Sequence, residues 1–180
     1  NDPNYSARRN GMNPEFHWLD FSVDDFTNGE AELMSSIMDA TDPDLSSFLK
    51  NRGGKLIVYH GLSDALSVAT ATVNYFNDMV DTTFAGSFND ANDSSRLFLA
   101  PGMGHCGGGP GPNNWDKLTS LVNWVENGVA PESLTVTHST DGNIDDERLL
   151  CTFPQQARYS GPAGKENDPE NWIAENFSCQ

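Results

Sequence analysis

Two short runs, Lys55-Leu56-Ile57-Val58-Tyr59 and Arg96-Leu97-Phe98-Leu99-Ala100, constrain this chain more than any other feature. Each is continuously apolar rather than alternating, and rich in branched or aromatic side chains. That is how a strand buried on both faces of a parallel sheet reads. Between them, Val68, Ala69, Val73, Phe76 and Val80 predict a helix over roughly 67–79. After the second run, Leu118, Leu121, Val122 and Val125 share one face of a predicted helix over 115–126, closed by Asn127-Gly128. Strand, loop, helix, strand, loop, helix is a βαβα unit, so the fold class is α/β: a parallel sheet with helices on its faces.

The flanks are less regular. Residues 1–28 set Phe16, Trp18, Phe21 and Phe26 among Asn, Asp, Pro and Gly, an irregular segment with at most a strand over 16–23. Leu33, Met34, Ile37 and Met38 predict a short amphipathic helix within 29–40. Asp42 and Pro43 read as the cap and first turn of the next helix, whose stripe is Leu45, Phe48 and Leu49 and whose end is Gly53-Gly54. The polar stretch over 81–95 reads as a surface loop, and Leu134 to Thr137 as an edge strand. Beyond Asp141 the pattern fades into a polar tail. The organisation expected is an irregular segment over 1–28, an α/β core over 29–138 and a tail over 139–180.

Charge excludes some partners. Ten Lys and Arg against 26 Asp and Glu leave a net charge of −16, which repels phosphate backbones and anionic lipid surfaces. No run reaches the ~18 apolar residues of a membrane-spanning helix. The chain opens at Asn1 without a signal peptide, so a processed or truncated product is expected. Three cysteines are an odd count: in an oxidising compartment one thiol lacks a partner within this chain.

In open α/β sheets, functional groups collect in loops beyond the carboxyl ends of the strands. Here those loops are His60-Gly61-Leu62-Ser63-Asp64-Ala65 and the glycine-rich 101–112. The first offers Asp64, the second His105. An aspartate followed by a histidine, on consecutive parallel strands, is the acid–base half of a serine relay. The carboxylate fixes the imidazole tautomer while the free nitrogen takes the nucleophile's proton. Gly61-Leu62-Ser63-Asp64-Ala65 also resembles a nucleophile elbow with alanine in the last place. With Ser63 as nucleophile, however, the acid would have to come from Asp78, Asp81, Asp90 or Asp93, none of which closely follows a strand. The other reading puts the serine outside this chain.

Three segments, Gly53 to Asp64, Arg96 to Pro112 and Leu121 to Glu132, closely resemble the C-terminal part of the tannase and feruloyl esterase family. The loop Gly102-Met103-Gly104-His105-Cys106-Gly107-Gly108-Gly109-Pro110 is the most specific of them. The resemblance implies the C-terminal portion of an α/β-hydrolase fold in a secreted or periplasmic serine esterase of aromatic acid esters. By position it implies that Asp64 is the triad acid and His105 the base. It further implies a disulfide between Cys151 and Cys179, and one from Cys106 to a cysteine beside the nucleophile, outside this chain. The family's nucleophile segment and lid are not in this sequence. An N-terminal portion or subunit carrying the serine is therefore the expected partner, and the chain alone is expected to be inactive. No cofactor or metal is expected on these residues; a calcium ion would belong to the lid. The opposing reading is a non-catalytic partner or scaffold module with the same fold.

Other polar residues have plainer expectations. His60 directly follows the strand and could line the site, but a structural role at the strand end is the preferred reading; His17 and His138 read as surface residues. Trp115, Trp124 and Trp172 read as packing. The acidic clusters Asp24-Asp25 and Asp145-Asp146-Glu147 lack calcium-loop spacing and read as solvated faces.

Overall fold

A computed structural model describes residues 37–180. The chain divides at Thr41/Asp42, and the elements named below lie in the second unit, Asp42–Gln180. The irregular segment over 1–28, with the strand expected near 16–23, and most of the helix expected over 29–40 lie outside the described residues; Ile37 and Met38 are helical.

The elements run α1 (Ser46–Leu49), β1 (Leu56–Gly61), α2 (Ala69–Phe84), α3 (Phe88–Asn92), β2 (Ser95–Ala100), α4 (Lys117–Asn127), β3 (Ser133–Thr140), β4 (Asn143–Cys151), β5 (Ala157–Tyr159) and β6 (Phe177–Cys179). Strands β1 and β2 pair in parallel, from Leu56 opposite Ser95 to Gly61 opposite Ala100. The crossover between them carries α2. This is the βαβ unit the two apolar runs require. Strands β3 and β4 form an antiparallel hairpin, and β5 pairs antiparallel with β6.

Because side chains alternate across a strand, the two faces of the parallel pair build two cores. Leu56, Val58, Leu97 and Leu99 face α2, where Phe76, Met79, Val80 and Phe84 are buried with Ala91 of α3. Ile57, Tyr59, Phe98 and Ala100 face the other way, onto Met103 and onto Leu134, Val136 and Leu150 of the hairpin. Burying side chains of this size stabilises the fold by roughly 1.5–3 kcal/mol each. Phe98, Met79 and Val80 are fully buried. A hairpin thus covers the face where a helix was expected.

Three expectations change. Helix α2 continues to Phe84, and the segment read as a surface loop holds α3, whose Ser87 hydroxyl accepts the Asp90 N–H. The first helix is shorter than predicted and begins after Leu45; the Asp44 carboxylate, not that of Asp42, accepts the Ser46 N–H. The segment read as a polar tail contains β4, β5 and β6, closed by a Cys151–Cys179 disulfide. Its acidic residues are engaged rather than merely solvated. Asp145 accepts from His138 and Thr140, Asp146 pairs with Arg148, and Glu147 accepts the Ala174 N–H. The Asp145 contact also gives His138 a partner.

Helix α4 begins at the Asp116 cap, whose carboxylate accepts the Thr119 N–H. Its inward contact is Trp124, buried against the Arg96 guanidinium and the Lys55 ammonium. Cation and ring attract through the ring quadrupole. The apolar residues Leu118, Val122 and Val125 stand exposed.

Candidate active site

Both chemistry-bearing loops leave the same edge of the parallel pair. Backbone bonds stitch them together: Leu62 N–H donates to Ala100 and Ser63 N–H to Met103. Met103 is buried and anchors the second loop from beneath. Gly61 sits at the crossing, where a Cβ would clash with the carbonyl oxygens of Met103 and Gly104. Gly61→Ala is therefore expected to cost about 1–3 kcal/mol by overpacking, read as a lower urea midpoint at unchanged m-value. An unchanged midpoint would show that the two loops can part freely.

Beyond Met103 the second loop is held by its own backbone, with Gly104 N–H donating to Gly108 and Gly111 N–H to Gly102. Gly109 has φ +90, and a Cβ there would run into the Gly102 carbonyl, so the tight return needs glycine. The loop exit is fastened to β3 by bonds exchanged between Asn114 and Thr137. His105 rides at the tip of this framework.

The Asp64 side chain is nearly inaccessible, with 4% exposed. Its two oxygens do different work. Oδ1 accepts the N–H groups of Ser67 at 3.0 Å and Leu66 at 2.8 Å. Oδ2 lies 2.8 Å from His105 Nδ1. The Ser67 N–H first, and the His105 contact second, lower the Asp64 pKa to about 2. Ionised, the carboxylate is an acceptor only, so Nδ1 of His105 carries the shared proton. In the neutral ring the other nitrogen, Nε2, is then an unprotonated acceptor. The His105 side chain is half exposed, and among the described residues none bonds Nε2. The arrangement can take a proton at Nε2 and stabilise the resulting cation from behind.

Ser63 is exposed, and no hydrogen bond joins its hydroxyl to His105. Cys106 is exposed and free of any partner within the described residues, in the left-handed region at φ 60. Among the described residues no three of His, Cys, Asp and Glu converge to hold a metal ion. Of the tryptophans read as packing, Trp124 is buried and Trp115 stands edge-on to Tyr59, whereas Trp172 is exposed beneath Arg148. His60, which the sequence offered at the strand end as a residue that could line the site though more readily as a structural one, is brought within 3.6 Å of Asp64. The signal was a polar residue at the end of an apolar run.

The family model of "Tannase and feruloyl esterase" matches residues 6–179. The chain belongs to the tannase and feruloyl esterase family. Its match to a mono(2-hydroxyethyl) terephthalate hydrolase of Piscinibacter sakaiensis is 40% identical over 171 residues, covering 89% of this chain and 26% of that protein. A probable feruloyl esterase B-1 of Aspergillus fumigatus is 36% identical over 146 residues, covering 73% of this chain and 27% of the relative. Among solved structures, an esterase from Aspergillus oryzae superposes with a TM-score of 0.79 at 26% identity, over 93% of this chain and 35% of that one. The chain thus spans about a quarter to a third of the length of the tannase-family proteins it matches. Its fold is part of an α/β-hydrolase fold, and the relatives are ester hydrolases.

Proposed function

We propose that this chain supplies the acid and the base of a serine carboxylic-ester hydrolase acting on esters of aromatic acids. The observation that carries the reading is the 2.8 Å contact from His105 Nδ1 to Asp64 Oδ2, with Nε2 open to an incoming group. In the complete enzyme Nε2 takes the proton of the attacking serine and returns it to the leaving alcohol, while Asp64 holds the ring and offsets its charge. The serine lies in a portion outside this chain, and the chain alone has no turnover. The aromatic acyl class follows the names of the relatives, a terephthalate ester hydrolase and a feruloyl esterase.

Two cysteine features fit the same picture. The Cys151–Cys179 bond suits an oxidising, secreted or periplasmic setting. Cys106, next to His105 and exposed, bonds in this reading a cysteine beside the serine and so holds nucleophile and base in register. A calcium ion, where one is bound, belongs to the lid.

A fluorophosphonate probe tests the serine. Labelling of the complete protein, followed by digestion and mass spectrometry, is expected to place the adduct on a serine outside these residues. An adduct on Ser63 would make this chain a minimal hydrolase instead. Absence of any adduct in an active preparation would overturn the serine mechanism.

A further inference from the structure

The strand that delivers Asp64 carries a second histidine that the proposed mechanism leaves unused. On β1, Leu56, Val58 and His60 share one face, and the first two pack against the core beneath α2. A histidine at the end of such a stripe must satisfy both ring nitrogens. It does so: Nδ1 lies 2.8 Å from Thr72 Oγ1 on α2, and Nε2 lies 2.9 Å from the Ser67 carbonyl oxygen. A carbonyl only accepts, so Nε2 carries a proton, and in the neutral ring Nδ1 accepts from the Thr72 hydroxyl.

The consequence falls on Ser67. Its carbonyl is held by His60, and its N–H donates to Asp64 Oδ1 at 3.0 Å. Ser67 is thereby fixed on both sides, and with it the plane of the Asp64 carboxylate. The Nε2–H of His60 also stands 3.6 Å from Asp64 Oδ2, the oxygen that faces His105. Strand β1, through His60, and helix α2, through Thr72, therefore set together where the carboxylate points.

We propose that His60 is a positioning residue for the Asp64–His105 pair, acting through the Ser67 backbone. The proposal rests on the acid–base reading of that pair. Misplacing a reacting group by about 1 Å costs roughly 100-fold in rate. In the complete esterase, His60→Ala is expected to lower kcat by about that factor, with KM for a small aromatic ester little changed. His60→Gln places an amide donor where Nε2 stood, and it should recover most of the rate. A low-field proton resonance of the His105 Nδ1–H is expected in the native enzyme; it should vanish in His60→Ala and return in His60→Gln.

The outcomes separate cleanly. Native kcat in His60→Ala, beside a dead His105→Ala, overturns the positioning role and leaves the acid–base pair standing. Turnover retained in His105→Ala overturns the acid–base reading, and this proposal with it. Loss of kcat in His60→Ala that glutamine does not rescue, alongside an unchanged His105 resonance, assigns His60 to the scaffold only. Should His60→Ala not fold, Thr72→Val removes the Nδ1 partner alone. It is expected to lower kcat severalfold and broaden the same resonance, and no change in either overturns the proposal.

Discussion

Asp64→Asn in the complete esterase is expected to lower kcat by about 10⁴-fold while leaving the protein folded. The asparagine oxygen can still accept the N–H groups of Leu66 and Ser67, so the loop keeps its turn. What changes is the partner of His105. An amide nitrogen facing Nδ1 can only donate, so the ring turns to its other tautomer and Nε2 holds the proton it should be taking. His105→Ala is expected to be at least as damaging. The check is steady-state turnover of an aromatic ester beside a thermal melt of each variant. Near-native turnover in either would remove the pair from the mechanism, and a collapsed melt in Asp64→Asn would show that the amide fails to keep the turn.

The second large effect is on stability. The Cys151–Cys179 bond closes a span of 28 residues. In the chain-entropy account a loop of this size contributes about 3–4 kcal/mol. Replacing both cysteines with serine should lower the melting temperature by on the order of 10 °C. Peptide mapping without reductant should recover the two cysteines linked. Equal melting of variant and native protein would show that β5 and β6 are held without the bond.

The parallel pair was legible because a strand buried on both faces has no polar side to confuse the pattern. Asp64 and His105 were legible because the strand ends dictate where such residues gather. The elements that escaped did so for physical reasons. In α3, Phe88 and Ala91 supply the packing, while Asn89, Asp90 and Asn92 carry the composition of a loop. In β4, only Leu150 and Cys151 are buried apolar residues, and the charged residues before them are satisfied by partners on the facing strand, on β4 itself and, for Glu147, far away in sequence at Ala174. Periodicity found the stripe on α4, but Leu118 and Val125 are exposed and it is Trp124 that packs inward. A stripe says which residues share a face, not what covers it.

The strap formed by β5 and β6 also bears on how the protein meets proteases. Gln156 and Gln180 exchange both backbone bonds beside the disulfide, and β4 continues through Thr152 onto Phe98 of β2. The exposed stretch over 162–167 is the natural place for an endopeptidase to cut. A cut there opens the backbone but releases nothing, because the Cys151–Cys179 bond still joins the two pieces. The strand that leads to His105 keeps its neighbour, and a nicked molecule would come apart into two pieces only after reduction.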